Sequence, residues 1–437
     1  MESCELLTED IQAYWQPRKV VTAYFLCYMG EGLARAIAIF APIFLMRQFG
    51  LTKLDVGFII LLAYLPWHFK YIIGLLMDSL PAFRGWRRRT YIFIAIIVDA
   101  LAVLLLLRAR DPWLEFLPAL MLYMASDALT DTAVDALLID VAPPEWHGFG
   151  LGSGWAARAL GYVIATTLVV QLADLPSIGP LPNPFFGQNV FLLFALFPLL
   201  DIYALTIREP PVTKRRRPSK EAIVNTFTDP GIYYVVAFAF LGCFAYALDP
   251  LRGLFSTAAR DVIKENPSIA SIADEAARKA AIDHWIRIAV TAAGLSAAAT
   301  SLILGRILDR IGHRRGYLIS VLSSAIVFGL WYLLPPGSLT GLILLSALLG
   351  YATAFNFVAW EAVLADTTPP QMTAFTWAYF MSWIHVACFV AGTTFSIVLQ
   401  NQGSNLAFPA VIPLIVLGIP AVVLARTFKT SKAERIL

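Results

Sequence analysis

The chain has 437 residues, of which 59% are apolar and only 14% are charged, and its formal net charge is +3. Average soluble domains are about 45–50% apolar and about 25% charged, so this composition excludes a water-soluble enzyme, a nucleic-acid-binding protein and a disordered chain. The four cysteines are far apart, which predicts neither a disulfide framework nor a metal site.

Apolar runs long enough to cross a membrane recur along the whole chain. A helix needs about 20 apolar residues to cross the hydrocarbon core, whereas a barrel strand needs only about 9–11. In the first half the sequence predicts spans at about 20–46, 54–77, 90–108, 113–139, 150–172 and 188–207. In the second half it predicts spans at about 229–257, 284–307, 314–334, 338–363, 374–399 and 407–427. The predicted fold class is an all-α integral membrane protein with twelve transmembrane helices in two pseudo-symmetric six-helix lobes.

The predicted domains are an N-terminal lobe over 1–207, a basic inter-lobe linker over 208–228 and a C-terminal lobe over 229–437. Most lysines and arginines that flank the spans fall on one side, together with the linker and both termini. Positive residues favour the cytoplasmic side, so we expect a multi-pass protein of the inner or plasma membrane with both termini in the cytoplasm. Acidic residues precede the first span, which argues against a cleavable signal peptide.

Two sequence matches relate the halves to one another. Gly74 and Asp78, followed by Arg87-Arg88-Arg89, correspond to Gly305 and Asp309, followed by Arg310 and Arg314-Arg315. The fourth span ends in Ala136-Leu137-Leu138-Ile139-Asp140, and the tenth ends in Ala362-Val363-Leu364-Ala365-Asp366. Matches in the same order at equivalent helix ends indicate an internal repeat, as in many transporters.

The segment from Gly305 to Arg315 resembles the cytoplasmic-loop motif of the major facilitator superfamily, G-x-x-x-D-R-x-G-R-R, except at His313. The resemblance implies a gating contact, in which the glycine allows close approach of a helix and the aspartate meets an arginine or a helix N-terminus. The alternative is that Asp78 and Asp309 only cap helix ends. The gating residues implied by the motif are Gly74, Asp78, Arg87, Arg88, Gly305, Asp309, Arg310 and Arg314.

The N-terminal half has a more particular resemblance. Leu65-Pro66-Trp67-His68-Phe69-Lys70, with Gly74, Asp78, Pro81, Gly85 and Arg87-Arg88, resembles the folate–biopterin transporters. The run Asp131-Thr132-Ala133-Val134-Asp135-Ala136, with Pro143-Pro144-Glu145, also resembles the muropeptide permeases and the acetyl-coenzyme A transporters. The resemblance implies a substrate that is folate-like or pterin-like, muropeptide-like or siderophore-like.

Three aspartates of the fourth span, Asp127, Asp131 and Asp135, share one helix face because they are four residues apart. Three stacked carboxylates cannot all be ionised in a low-dielectric environment without cations nearby. Either at least one carries a proton, or Arg35, Lys70 and Arg158 neutralise them. We predict a proton-relay or substrate role, with a static salt-bridge network as the alternative. Glu361 joins the predicted proton-coupling residues because aligning Asp140 with Asp366 places it opposite Asp135.

Other charges at membrane depth are costly, so each is a candidate functional residue. The superfamily resemblance implies that the first, fourth, seventh and tenth spans line a central cavity. The predicted substrate-binding residues are Glu31, Arg35, Lys70, Arg158, Asp249 and Arg252. Lys70 suits either an anionic group of the substrate or an aspartate of the fourth span. Asp99 and Asp201 are also at membrane depth, and neither they nor the histidines and tryptophans of the spans receive a predicted role.

The sequence therefore predicts a secondary active transporter that works by alternating access, is coupled to protons and carries an anionic or amphipathic organic solute. Its expected partners are that small molecule, the proton and the lipid bilayer, without nucleic acid, cofactor or metal, and it is expected to act as a monomer. The alternative is a non-transporting membrane assembly factor of the light-harvesting biogenesis type. An enzyme is not expected, because no catalytic motif occurs.

Overall fold

The structure is a computed structural model, and it describes residues 14–35, 37–80, 86–169, 172, 177–178, 181–209, 224, 228, 230–250, 253–368 and 372–425. Regular structure in these residues is helical, except for one short antiparallel ladder that joins β1 (Ser177–Ile178) to β2 (Leu181–Pro182). The predicted all-α class is therefore confirmed.

The helices before the linker are, in chain order, α1 (Pro17–Ala34), α2 (Ile37–Phe49), α3 (Lys53–Ala63), α4 (Leu65–His68), α5 (Lys70–Ser79), α6 (Arg88–Leu106), α7 (Leu117–Val141), α8 (His147–Ile164) and α9 (Phe191–Phe194). A π-helical turn, Pro112–Phe116, precedes α7, and a second one, Ala165–Val169, follows α8. The segments Gly187–Val190 and Phe197–Thr206 on either side of α9 are 3₁₀-helical.

The helices after the linker are α10 (Pro230–Leu241), α11 (Gly253–Lys264), α12 (Pro267–Ala270), α13 (Glu275–Ile311), α14 (His313–Leu330), α15 (Leu339–Thr367), α16 (Thr373–Gln402), α17 (Ser404–Ala407) and α18 (Ile412–Val416). Short 3₁₀ segments occur at Phe244–Leu248, Trp331–Leu333 and Pro409–Val411. Residues 418–425 are also helical.

Seven stretches of the described residues are long and apolar enough to cross a membrane. They are Arg88–Leu106, Gly187–Thr206, Glu275–Ile311, His313–Leu333, Leu339–Thr367, Thr373–Gln402 and Ser404–Ala425. The predicted number of twelve spans remains a prediction.

Several predicted continuous spans are interrupted: the run at 188–207 is divided by the 3₁₀ segments on either side of α9, and two further runs are also broken. The run at 54–77 is divided into α3, α4 and α5, and the run at 229–257 contains the end of α10 and a 3₁₀ segment. In the run at 54–77, Pro66 lies at the break, where its ring removes a backbone donor and disturbs the preceding turn. The Nδ1 atom of His68 lies 2.8 Å from the Tyr64 carbonyl oxygen at this break, so this histidine contributes to the local backbone bonding.

The chain forms two compact units. Unit 1 contains the described residues of Met1–Pro143, Leu160–Pro218 and Thr368–Ser382, and unit 2 contains those of Pro144–Ala159, Ser219–Thr367 and Trp383–Leu437. Helix α8 therefore begins in unit 2 and ends in unit 1, and α16 begins in unit 1 and ends in unit 2. Each unit includes a helix start from the other half of the sequence.

The core of each unit is built for close helix packing. In unit 1, the rings of Phe44, Phe116 and Phe191 meet at centroid distances between 5.6 and 5.8 Å. In unit 2, α13 and α15 approach so closely that a Cβ atom at Gly350 would overlap the Ala293 carbonyl group. Small residues at helix contacts allow backbone groups to approach in this way.

Candidate functional site

In unit 1, the aspartate of the first motif copy is held by arginines from the start of α6. Asp78 Oδ1 lies 3.0 Å from Arg87 Nη2 and 2.8 Å from Arg88 Nη1. Arg88 also reaches Asp140 at the end of α7, with its Nε 3.0 Å from Oδ2. The buried Arg88 side chain therefore bridges Asp78 and Asp140. The two sequence matches pair these residues with Asp309 and Asp366 in the other half of the chain.

The start of α16 completes this cluster. The backbone N–H of Phe375 donates to Asp78 Oδ2 at 2.8 Å, and the Thr373 hydroxyl donates to Asp140 Oδ1 at 2.8 Å. A Cβ atom at Gly74 would overlap the Ala374 carbonyl oxygen. The glycine thus gives α16 room to approach, and the aspartate accepts from an otherwise unpaired helix N-terminus.

Unit 2 repeats this arrangement with the second motif copy. Asp309 accepts from the backbone N–H groups of Gly148 and Phe149, at 2.8 and 3.0 Å. These residues begin α8, as Phe375 belongs to the start of α16. A Cβ atom at Gly305 would stand only 2.5 Å from the Gly148 carbonyl oxygen. Both aspartates therefore meet a helix N-terminus from the other half of the sequence.

A histidine occupies the bridging position in unit 2. His313 Nε2 lies 3.2 Å from Asp309 Oδ1, and its Nδ1 lies 2.9 Å from Asp366 Oδ2. His147 Nδ1 lies 3.5 Å from the other oxygen of Asp366. His313 is the position that departs from the superfamily motif. It connects Asp309 to Asp366, as Arg88 connects the corresponding residues Asp78 and Asp140 in unit 1.

The remaining motif arginines lie at the periphery of this cluster. Arg310 is exposed, and Arg314 donates to the Ala425 carbonyl oxygen at 3.3 Å. Arg306, which received no predicted role, stacks on Trp146 with its Cζ 4.3 Å from the ring centroid and lies 3.9 Å from Asp309.

The charges predicted at membrane depth in unit 1 form a buried network. Lys70 Nζ lies 2.8 Å from Asp131 Oδ2, and both side chains are almost fully buried. Of the two partners proposed for Lys70 from the sequence, the structure shows the aspartate. Breaking such a pair by removing one member typically costs about 3–5 kcal/mol, because the other charge is left buried.

Asp135 lies one turn further along α7 and is fully buried. Its Oδ1 accepts from the hydroxyls of Tyr24 and Tyr28, at 2.7 and 2.5 Å. Its Oδ2 accepts from the indole N–H of Trp377 at 2.6 Å. Trp377 belongs to the start of α16, so this helix contacts Asp135 as well as the motif aspartate Asp78.

The network also includes Glu31 and Arg35 of α1, whose side chains pair at 3.0 Å. The indole of Trp67 is near two cations, with its centroid 5.7 Å from Arg35 Cζ and 5.3 Å from Lys70 Nζ. Trp67 is buried, and its indole nitrogen has no hydrogen-bond partner among the described residues. These side chains combine two cations, a flat ring and an available donor.

A small cavity lies next to this network. It offers about 20 Å³ to the centre of a water molecule, which is room for about one water. Its polar lining is Cys27, Tyr28, Glu31, Asp99, Tyr123, Asp127, Thr130, Asp131 and Asp201. The cavity therefore joins predicted site residues to Asp99 and Asp201.

The other predicted site residues belong to unit 2 or lie outside the described residues. Arg158 stacks on Trp155, with its Cζ 4.8 Å from the ring centroid. Asp249 and Glu361 are buried within the same unit. Arg252 lies outside the described residues. The structure thus brings Glu31, Arg35, Lys70, Asp127, Asp131 and Asp135 together in unit 1 and places Arg158, Asp249 and Glu361 in unit 2.

Several residues at these sites were missed in the sequence. Tyr24 and Tyr28 lie seven and three residues before Glu31, a spacing that would have placed all three on the same face of α1. Trp377 received no predicted role, and no local pattern in the sequence relates it to Asp135. Glu209 also had no predicted role, yet its carboxylate accepts from the backbone N–H groups of Arg87, Arg88 and Arg89 and so caps α6.

Two solved transporter structures have a similar fold. The human organic anion transporter MFSD10 (TETRAN) superposes with a TM-score of 0.67 at 16% identity, covering 93% of this chain and 100% of that one. The E. coli fucose:proton symporter FucP superposes with a TM-score of 0.67 at 14% identity, covering 94% and 98%. At these identities the likeness shows the fold alone, which is that of the major facilitator superfamily.

Family comparisons give the more particular assignment. The BT1 family model matches residues 31–334, and the Major Facilitator Superfamily model matches residues 266–436. The chain belongs to the BT1 family, whose model matches more than half of it.

Two curated relatives align with parts of the chain. A folate-biopterin transporter of Synechocystis sp. is 27% identical over 193 residues, which are 44% of this chain and 36% of that protein. A multi-drug resistance efflux pump PmrA homolog of Lactococcus lactis subsp. lactis is 26% identical over 254 residues, which are 56% of this chain and 55% of that protein. The matches therefore span about a third and about half of these relatives. The predicted resemblance to the folate–biopterin neighbourhood is confirmed.

Proposed function

We propose that the protein is a secondary active transporter that works by alternating access and couples the movement of an anionic organic solute to protons. The observation that carries this proposal is the buried Lys70–Asp131 pair beside Asp135, in a chain of the major facilitator fold. A cation paired with a carboxylate can exchange that partner for an anionic substrate. The released carboxylate is then left to take up a proton, which links the two events.

The substrate class that fits best is a flat pterin-type heterocycle, which in a folate also carries a carboxylate. Trp67 offers a ring face and an available indole N–H, and Arg35 and Lys70 flank it. Arginine and lysine recognise carboxylates by charge-assisted hydrogen bonds, and aromatic rings stack on heterocycles. The name of the Synechocystis relative supports the same class.

The proposal includes twelve spans in two six-helix lobes with the bounds predicted above, in the inner or plasma membrane, with both termini and the linker in the cytoplasm. The internal repeat supports it, because the two motif aspartates make the same kind of helix-start contact. Singly introduced cysteines in the linker should react with an impermeant thiol reagent only from the cytoplasmic side. Labelling from outside would contradict this topology.

Proton coupling is tested in liposomes that contain the purified protein. We expect wild-type protein to accumulate labelled folate or biopterin when a pH gradient is imposed. Asp131→Asn and Asp135→Asn should abolish this uphill accumulation and leave downhill exchange of preloaded solute largely intact, because neither variant can bind and release the proton. Asp127→Asn and Glu361→Gln test the remaining predicted coupling residues.

The matched control is Asp261→Asn, since the Asp261 side chain is 44% exposed and lies 3.8 Å from Lys264, outside the network. Gradient-driven accumulation by either neutral variant would show that the substituted residue is not a coupling site. A wild-type protein that moves neither solute in either direction would contradict the proposed substrate class.

A further inference from the structure

The cavity beside Glu31 is lined by two carboxylates that neither the family resemblance nor the predicted site includes. Asp99 comes from α6 and Asp201 from the 3₁₀ segment Phe197–Thr206. Both are more than nine-tenths buried, and the Oδ1 atom of each has no hydrogen-bond partner among the described residues. Two acids from different elements thus line one small cavity. Each has a carboxylate oxygen without a hydrogen-bond partner among the described residues.

The charges around the cavity do not neutralise these acids. Its other titratable lining groups are Cys27, Tyr28 and Glu31 of α1 and Tyr123, Asp127 and Asp131 of α7. The nearby cations Arg35 and Lys70 pair with Glu31 and Asp131. Within the described residues, neither Asp99 nor Asp201 has a cation at ion-pair distance. An ionised carboxylate buried without a cation or a full set of donors is strongly disfavoured.

A bound metal ion does not fit this geometry as well as a proton does. Within the part of the chain that the structure describes, no group of three or more histidine, cysteine, aspartate or glutamate side chains is arranged to hold one. A proton requires only one carboxylate oxygen, and it converts an unsatisfied acceptor into a donor. The cavity has room for a water molecule that can accept from that donor.

We propose that this cavity is a second proton-binding site, in which Asp99 and Asp201 hold protons at neutral pH and exchange them through water with the lining carboxylates Glu31 and Asp131. Each exchange through one water breaks the O–H bond of the donor acid and one O–H bond of the water, and it forms one O–H bond on the water and one on the acceptor carboxylate, so the water is regenerated. Its role as a proton store for transport rests on the proposed function, whereas proton binding at the two residues does not.

Infrared spectroscopy of the purified full-length protein in liposomes tests this site without any substrate. We expect wild-type protein to show the C=O stretching band of protonated carboxylic acids at neutral pH. The band should lose part of its intensity in the double variant Asp99→Asn/Asp201→Asn and should be unchanged in Asp261→Asn, because Glu31 and the aspartates of α7 also bind protons in this proposal. An undiminished band in the folded double variant would overturn the proposal.

Thermal unfolding gives an independent readout, since asparagine resembles a protonated aspartate in shape and charge. Asp99→Asn and Asp201→Asn should retain the wild-type melting temperature at neutral pH, whereas Asp131→Asn should lower it by leaving Lys70 unpaired. A loss in the first two variants as large as that in Asp131→Asn would show that both acids are ionised and would overturn the proposal. A failed uptake assay together with the expected infrared and thermal results would contradict the proposed function and leave this site standing.

Discussion

At the scale of single residues, the chemistry of unit 1 depends on Lys70. Its ammonium group pairs with Asp131 and lies 5.3 Å from the centroid of Trp67, so one side chain is close to both an aspartate of α7 and the aromatic ring. Lysine suits this position because its compact charge can change partners without a fixed bidentate geometry. A substitution of Lys70 removes the cation and also leaves the Asp131 carboxylate unpaired. Either change can account for a loss of substrate binding.

We expect Lys70→Ala to weaken folate or biopterin binding by about 1.5–3 kcal/mol, the usual contribution of a hydrogen bond to a charged group. This corresponds to a dissociation constant about 10–150-fold higher, which titration calorimetry of the purified protein measures. The double variant Lys70→Ala/Asp131→Asn removes the unpaired carboxylate. Restored thermal stability with binding still lost would assign Lys70 to the substrate, whereas wild-type binding in the double variant would make it a structural partner of Asp131.

At the scale of secondary-structure elements, the start of α16 is held by three aspartates of unit 1. Phe375 donates its backbone N–H to Asp78, Thr373 its hydroxyl to Asp140, and Trp377 its indole N–H to Asp135. The first two bonds satisfy groups at a helix N-terminus, where donors would otherwise be unpaired. One helix start therefore connects the motif aspartate to the proposed coupling residue.

Trp377→Phe should retain the packing of α16 and remove the donor to Asp135. Because a buried carboxylate oxygen then loses a hydrogen bond, we expect the variant to lose about 1–3 kcal/mol of stability. Thermal unfolding in detergent measures this loss as a lower melting temperature. Trp113→Phe is the matched control, since that indole is 39% exposed. Equal melting temperatures for the two variants would exclude a structural contribution from the indole bond.

Much of the helical architecture was predictable from the sequence, since long apolar runs and a repeated glycine–aspartate motif are local patterns. Lys70 and Asp131 were also proposed as partners from their positions on two helices. The bond between Trp377 and Asp135 was not predictable, because it joins residues 242 positions apart and depends on which helix starts meet. Asp99 and Asp201 were recognised as charges at membrane depth, but their common cavity depends on the path of a 3₁₀ segment that hydropathy does not reveal.

At the scale of the whole molecule, the two motif copies are alike in geometry and different in charge. In each case an aspartate accepts from the start of a helix that belongs to the other half of the sequence. The bridging residue is an arginine in unit 1, which is always charged, and a histidine in unit 2, which is charged only when it is protonated. The proposed alternating access requires contacts between the sequence halves to form and break. We expect these changes at the starts of α8 and α16.

Asp309→Asn should therefore slow the exchange of labelled solute in liposomes and leave its equilibrium binding unchanged. The reason is that an amide oxygen is a weaker acceptor than a carboxylate, and the proposed alternating access needs the contact with α8 to form in one transport state and break in the other. Asp78→Asn should have the same kind of effect through α16, and Asp261→Asn should have none. A wild-type exchange rate in the Asp309→Asn protein would reduce the motif to a helix cap.

The glycines of the motif also restrict how this protein can evolve. A side chain at Gly74 or Gly305 would meet the backbone of the opposing helix rather than another side chain. A clash between two side chains can be relieved by a second mutation that shortens the neighbour, but no mutation shortens a peptide carbonyl. Substitution at these positions can be accommodated only by moving a whole helix. Drift in the sequence is therefore expected to change the charged residues around the two contacts, as His313 already illustrates, before it changes the glycines themselves.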